Sequence, residues 1–92
     1  MKVLEVRSSD ISILEVLNEN DGLTAKEIHT RLSEKGIDIP LRTLRYRLSK
    51  LVEQGILEEK LEKRNGRSML VYYIKNKELV RFLLKYFKEL LK

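Results

Sequence analysis

The chain has no cysteine and no tryptophan, and only one histidine and one proline in 92 residues. Without cysteine, neither a disulfide framework nor a thiolate metal site can form. His29 has no second histidine to complete a metal site or a catalytic triad, and its place beside the apolar Ile28 reads as structural. The four glycines are dispersed and form no phosphate-cradling loop, and the carboxylates are scattered on helix faces, as with the like-charged pair Glu15 and Glu19. No enzyme activity, metal or cofactor is therefore expected. Long apolar runs are missing too. The longest, Met69–Ile74, falls far short of the ~20 residues that span a bilayer. Glu5 and Asp10 stand where a secretory peptide needs its apolar stretch, so no signal peptide or membrane association is expected, and a cytoplasmic location is.

Charge is what the chain has in abundance. Asp, Glu, Lys and Arg make up 36% of it, with 19 basic residues against 14 acidic and a net charge of +5. Such a surplus favours a polyanionic partner. High charge beside two methionines and one glutamine (Gln54) resembles thermophile usage. The distribution is more informative than the total. Residues 1–39 hold five basic and eight acidic side chains, residues 40–67 eight and four, and residues 68–92 six and two. The first segment is net acidic, so a polyanion would meet the middle of the chain rather than its start.

A chain of this length supports one hydrophobic core. Met1–Arg7 alternates weakly and reads as a short strand or an arm. Ser8, Ser9 and Asp10 are N-cap types that open a helix at about Asp10–Glu19, which Asn20-Asp21-Gly22 stops. Thr24-Ala25-Lys26-Glu27 fits a capping box and starts a second helix that ends at Gly36. Pro40 suits the entry of a third, from Leu41 to about Gln54, with Leu44, Leu48 and Leu51 on its inner stripe. Ile56–Glu62 and Ser68–Ile74 have strand character, and Asn65-Gly66 between them is a strong hairpin signal. Asn76 caps a last helix that runs to the C-terminus.

With its leucine stripe inward, the third helix turns Arg42, Tyr46, Ser49, Lys50 and Glu53 most directly outward, with Thr43 toward that face and Arg45 and Arg47 flanking it. Most charged helix faces are simply solvated. Here, four basic residues and no acid lie between Leu41 and Lys50. Arginine can take both acceptors of a guanine edge, and threonine can touch a thymine methyl. A capped helix and a Gly-containing connector precede this helix, forming a helix-turn-helix. A basic hairpin tip, Lys63-Arg64-Asn65-Gly66-Arg67, follows it and can lie against phosphates or in a narrow minor groove.

Across Ile13–Ile74 the chain resembles winged helix-turn-helix domains. The likeness is clearest in Thr24-Ala25-Lys26-Glu27-Ile28, in Lys35-Gly36 and in the run from Arg42 to Leu48 followed by Leu51 and Gly55-Ile56-Leu57. The pattern is most similar to domains of archaeal nitrogen-regulation repressors and of the ribonuclease R N-terminus. The resemblance implies that Leu41–Glu53 is the recognition helix and Lys63–Arg67 the wing. No effector-binding or nuclease domain accompanies these residues, so a small-molecule effector is not expected.

The last helix carries Leu79, Val80, Leu83, Tyr86, Phe87, Leu90 and Leu91 on one stripe, with Phe82 and Leu84 at its two edges. This arc is wider than a helix docked once on its own core requires, and small winged-helix regulators often dimerise through terminal helices. Leu79, Phe82, Leu83, Tyr86, Phe87 and Leu90 are therefore the expected homodimer contacts. The expected fold is α+β and mainly α: three helices, a two-stranded wing and an added C-terminal helix. Residues 1–75 form the DNA-binding domain and residues 76–92 the dimerisation helix. The expected function is sequence-specific binding of double-stranded DNA by a dimeric transcriptional regulator. A protein-interaction scaffold and an RNA-binding winged helix are the alternatives.

Overall fold

The computed structural model describes residues 6–90, with side chains through Phe87. The expected strand or arm at Met1–Arg7 lies mostly outside the described residues, and Val6 and Arg7 belong to no element. Four helices and three strands follow: α1 (Ser8–Glu19), β1 (Leu23–Thr24), α2 (Ala25–Glu34), α3 (Leu41–Glu53), β2 (Leu57–Arg64), β3 (Arg67–Ile74) and α4 (Lys77–Leu90). The fold is the α+β winged helix the sequence predicts, with one addition. The two-residue β1 pairs antiparallel with β3, Leu23 opposite Tyr72, to give a three-stranded sheet of order β1-β3-β2.

α1 begins two residues earlier than the N-cap signals suggest. Asp10 acts from inside the first turn, where its carboxylate accepts the backbone N–H of Arg7 at 2.9 Å. Thr24 plays two parts at once, as the last residue of β1 and the N-cap of α2. Its hydroxyl accepts the Glu27 N–H at 3.2 Å, while the Glu27 carboxylate accepts the Thr24 N–H at 3.0 Å. A cap of this kind stabilises a helix by about 1 kcal/mol. The chain reaches β1 through Gly22, whose φ of +81° suits glycine. A Cβ there would also stand 2.8 Å from the Tyr73 ring, so the position is closed to larger residues twice over.

Helical spacing places Ile13, Leu14 and Leu17 of α1, Ile28 and Leu32 of α2 and Leu44, Leu48 and Leu51 of α3 in one core from which solvent is excluded. The root of the sheet joins it through Leu57, Tyr72 and Ile74, and α4 through Val80 and Leu84. β2 and β3 pair in unbroken register from Leu57–Ile74 to Arg64–Arg67. Asn65 and Gly66 then close the hairpin with φ of +53° and +76°, the signs a two-residue type I′ turn requires. Strand alternation assigns Leu57, Glu59, Leu61 and Lys63, with Ile74, Tyr72, Leu70 and Ser68 opposite, to a single face that runs from core to tip.

Candidate nucleic-acid interface

α3 presents its outer face because its inner one is fully used. Leu44, Leu48 and Leu51 are buried, which leaves Arg42, Thr43, Arg45, Tyr46 and Ser49 exposed and Lys50 half-buried. The Lys50 ammonium lies 5.4 Å from the centre of the Tyr46 ring and 3.2 Å from the Glu53 carboxylate. Its bond to Glu53 raises the Lys50 pKa above the usual lysine value. Thr43, Tyr46 and Lys50 form one stripe of the exposed face, and Arg42, Arg45 and Ser49 the other.

Arg47 does not belong to this face. Read from sequence as a flank of the outer surface, it is only 6% exposed, and its guanidinium meets the fully buried Asp10 through two bonds: Nε to Oδ1 at 2.9 Å and Nη2 to Oδ2 at 2.5 Å. The physical reason is its spacing. Arg47 stands three residues after Leu44 and four before Leu51, close enough to the inner stripe for a partner on α1 to draw it in. It anchors α3 to α1 rather than facing outward. A paired fork of this kind is the geometry arginine favours when buried.

Arg64 is likewise turned back from the wing tip, where the sequence reading has it. Its guanidinium donates to the Glu27 carboxylate at 3.0 Å and to the Gly22 carbonyl at 3.1 Å, tying the wing to the start of α2. The carboxyl of Glu27 is held below the usual carboxylate value, first by the Thr24 backbone N–H, with Arg64 and Arg31 adding favourable charge. Nearby, the Tyr73 hydroxyl donates to Glu62, which pushes the phenol pKa up. Lys63 and Arg67 are the cations left pointing outward from the wing, while Asn65 and Gly66 shape its turn.

Between α3 and the wing lies a cleft of about 600 Å³. Arg45 and Ser49 line it on the α3 side, Thr24, Ala25 and Lys26 at the start of α2, and Glu59, Ser68, Met69, Leu70 and Tyr72 on the sheet. The sequence pattern does not bring Lys26 and Ser68 to this site, because nothing local links the start of α2 to a strand more than forty residues on. Burial is the main cause that raises the Tyr72 pKa at the inner end, with Glu59 adding to it and Arg45 opposing.

On α4, the two edges of the apolar arc have different fates. Leu84 is buried against the core beside Val80, whereas Phe82 is 63% exposed and stacks on Tyr86, ring centroids 6.1 Å apart. Leu79, Leu83 and Phe87 are partly buried against the domain's own core, and the side chain of Leu90 lies outside the described residues. No described helix is long and apolar enough to cross a membrane.

Three helices with an outward basic third helix, flanked by a two-stranded hairpin, define a winged helix-turn-helix domain. A profile of the helix-turn-helix domain family matches residues 11–60, more than half of the chain, and the chain belongs to that family. Comparison by sequence with curated proteins finds no match. Among solved structures, the ferric uptake regulator (Fur) of Vibrio cholerae superposes with a TM-score of 0.70 at 25% identity, over 80% of this chain and 56% of Fur. The chain thus spans little more than half the length of that relative. A PadR-family transcriptional regulator from Eggerthella lenta gives 0.71 at 18% identity, over 85% of this chain and 72% of that one. Stf76, from the Sulfolobus islandicus plasmid-virus pSSVx, gives 0.60 at 20% identity, over 79% and 91%.

Proposed function

We propose that this domain binds double-stranded DNA sequence-specifically and regulates transcription in the cytoplasm as a homodimer. The observation that carries the reading is the exposed face of α3: Arg42, Thr43, Arg45, Tyr46, Ser49 and Lys50 share it with no carboxylate before Glu53. The likeness to Fur, a regulator with DNA-binding domains, and to a PadR-family transcriptional regulator supports it. In this reading α3 enters the major groove, where Arg42 and Tyr46 meet base edges. Lys50 exchanges Glu53 for a phosphate, and the wing sets Lys63 and Arg67 on the flanking backbone. Two copies joined through the Phe82 edge of α4 place two such helices in successive grooves, and regulation follows by occluding competing proteins.

Binding of labelled duplexes over a range of salt is the test. A dimer that neutralises ~6–8 phosphates gives a slope of log K against log salt of about −5 to −7. A slope near zero, or no duplex binding at low salt, overturns the proposal, and tighter binding to RNA at matched salt replaces it with the RNA alternative.

A further inference from the structure

An exposed apolar pair is out of character on a wing this charged. Leu61 on β2 and Leu70 on β3 are direct cross-strand partners, 70% and 46% exposed. Single exposed leucines are ordinary, but two paired on one face of a hairpin form a patch that asks for a partner. Their position narrows the choice. Leu70 lines the cleft opposite Arg45 and Ser49 of α3, and one register step toward the turn the same face carries Lys63 and Ser68. One step the other way are Glu59 and Tyr72, so the single carboxylate of this face sits at the inner end of the cleft and the cation at the outer end.

We propose, on the DNA-binding reading above, that Leu61 and Leu70 form an apolar rail for one strand of the duplex, the strand that separates the groove entered by α3 from the groove at the wing tip. A DNA strand alternates anionic phosphates with largely apolar deoxyriboses. Arg45 on the cleft wall and Lys63, one step beyond Leu61 on the same face of the wing, supply cations for phosphates, and the leucine pair supplies an apolar surface for the sugars. Charge complementarity selects this occupant over a second copy of the chain. A second copy seated on the patch would bring the same basic rim, Arg45 and Lys63, up to its counterpart, where like charges disfavour the contact.

Apolar contacts release no counterions, so the rail has a thermodynamic signature distinct from that of the cations. In titrations of a labelled random-sequence duplex, Leu61→Ser combined with Leu70→Ser weakens binding about tenfold at every salt concentration and leaves the slope unchanged. The more exposed Leu61→Ser alone, which melts as wild type, weakens it about threefold. Sedimentation of the unbound variants matches wild type. Unchanged affinity in both variants overturns the inference. So does a shift in the sedimentation of the unbound protein, which makes the pair a contact between copies. Failure of the wild-type chain to bind any duplex is a separate result, since it removes the DNA-binding reading before any variant is compared.

Discussion

Arg47 of α3 and Asp10 of α1 form a buried two-point ion pair, thirty-seven residues apart in sequence. Asp10 also accepts the Arg7 N–H, so one carboxylate both caps α1 and fixes the roll of α3. Which residues of α3 face outward is therefore set partly by a charge that no solvent reaches.

Arg47→Met leaves that carboxylate buried without its main counter-charge and is expected to cost about 3–5 kcal/mol in urea unfolding. Adding Asp10→Asn removes the stranded charge but keeps an oxygen for the Arg7 N–H, so the double variant should be more stable than Arg47→Met alone. A double variant that loses the sum of the two single effects contradicts the pairing.

Helix and wing should divide the labour. Arg42→Ala or Tyr46→Ala is expected to cost about 1–3 kcal/mol on the preferred site and less on random duplex. Lys63→Ala with Arg67→Ala should weaken all duplexes alike and make the salt slope shallower by about one per cation removed in each protomer. Arg64→Ala behaves differently, because its guanidinium is bound to Glu27 and Gly22: its first effect is a lower melting temperature. Equal losses on specific and random DNA from both the helix and wing sets would count against the division.

The two edges of α4 give opposite outcomes. Phe82→Ser removes an exposed ring and should yield a folded monomer by sedimentation and circular dichroism. Leu84→Ala cuts into the core and should destabilise the fold by about 2–5 kcal/mol. The wild-type dimer should prefer half-sites about 10 base pairs apart, or a multiple of that, and the Phe82→Ser monomer should lose the preference. A wild-type chain that sediments as a monomer at tens of micromolar (roughly the range where obligate dimers persist) ends the dimer proposal.

Glu27 predicts an acid-side effect. Its carboxyl is held below the usual value in the folded chain, so the stabilisation it gives is complete above the unfolded pKa and fades as pH falls through the folded one. Glu27→Gln keeps the hydrogen bond to Thr24 but loses the charge facing Arg64. Melting temperatures of variant and wild type should differ at neutral pH and converge below about pH 4. A gap that stays constant down to low pH would falsify this assignment.

Much of the fold was legible because its signals are local. Thr24 and Glu27 cap α2, the Asn76 side-chain oxygen accepts the Leu79 N–H at the start of α4, and Asn65-Gly66 turns the wing, all as the residues themselves indicate. The leucine stripe of α3 fixed its inner face for the same reason. What stayed hidden depends on partners distant in sequence. A wheel assigns Arg47 an angle but cannot see Asp10, and a hairpin pattern puts Arg64 near the tip without revealing Glu27. β1 escaped notice because two residues carry no periodicity, and only the edge of β3 makes Leu23 and Thr24 a strand.

That short strand bears on how the chain folds. Leu23 pairs with Tyr72 and Thr24 with Val71, so the sheet closes a loop that contains α2, α3 and β2. Bringing such distant residues together costs chain entropy that is offset only once the intervening helices have already collapsed. The hairpin of β2 and β3 can form early by itself, but its docking onto β1 must wait. Side-chain truncations in α1 to α3 should therefore slow folding, whereas Leu23→Ala should chiefly speed unfolding. On this order of events the wing is expected to take its place beside α3 late in folding.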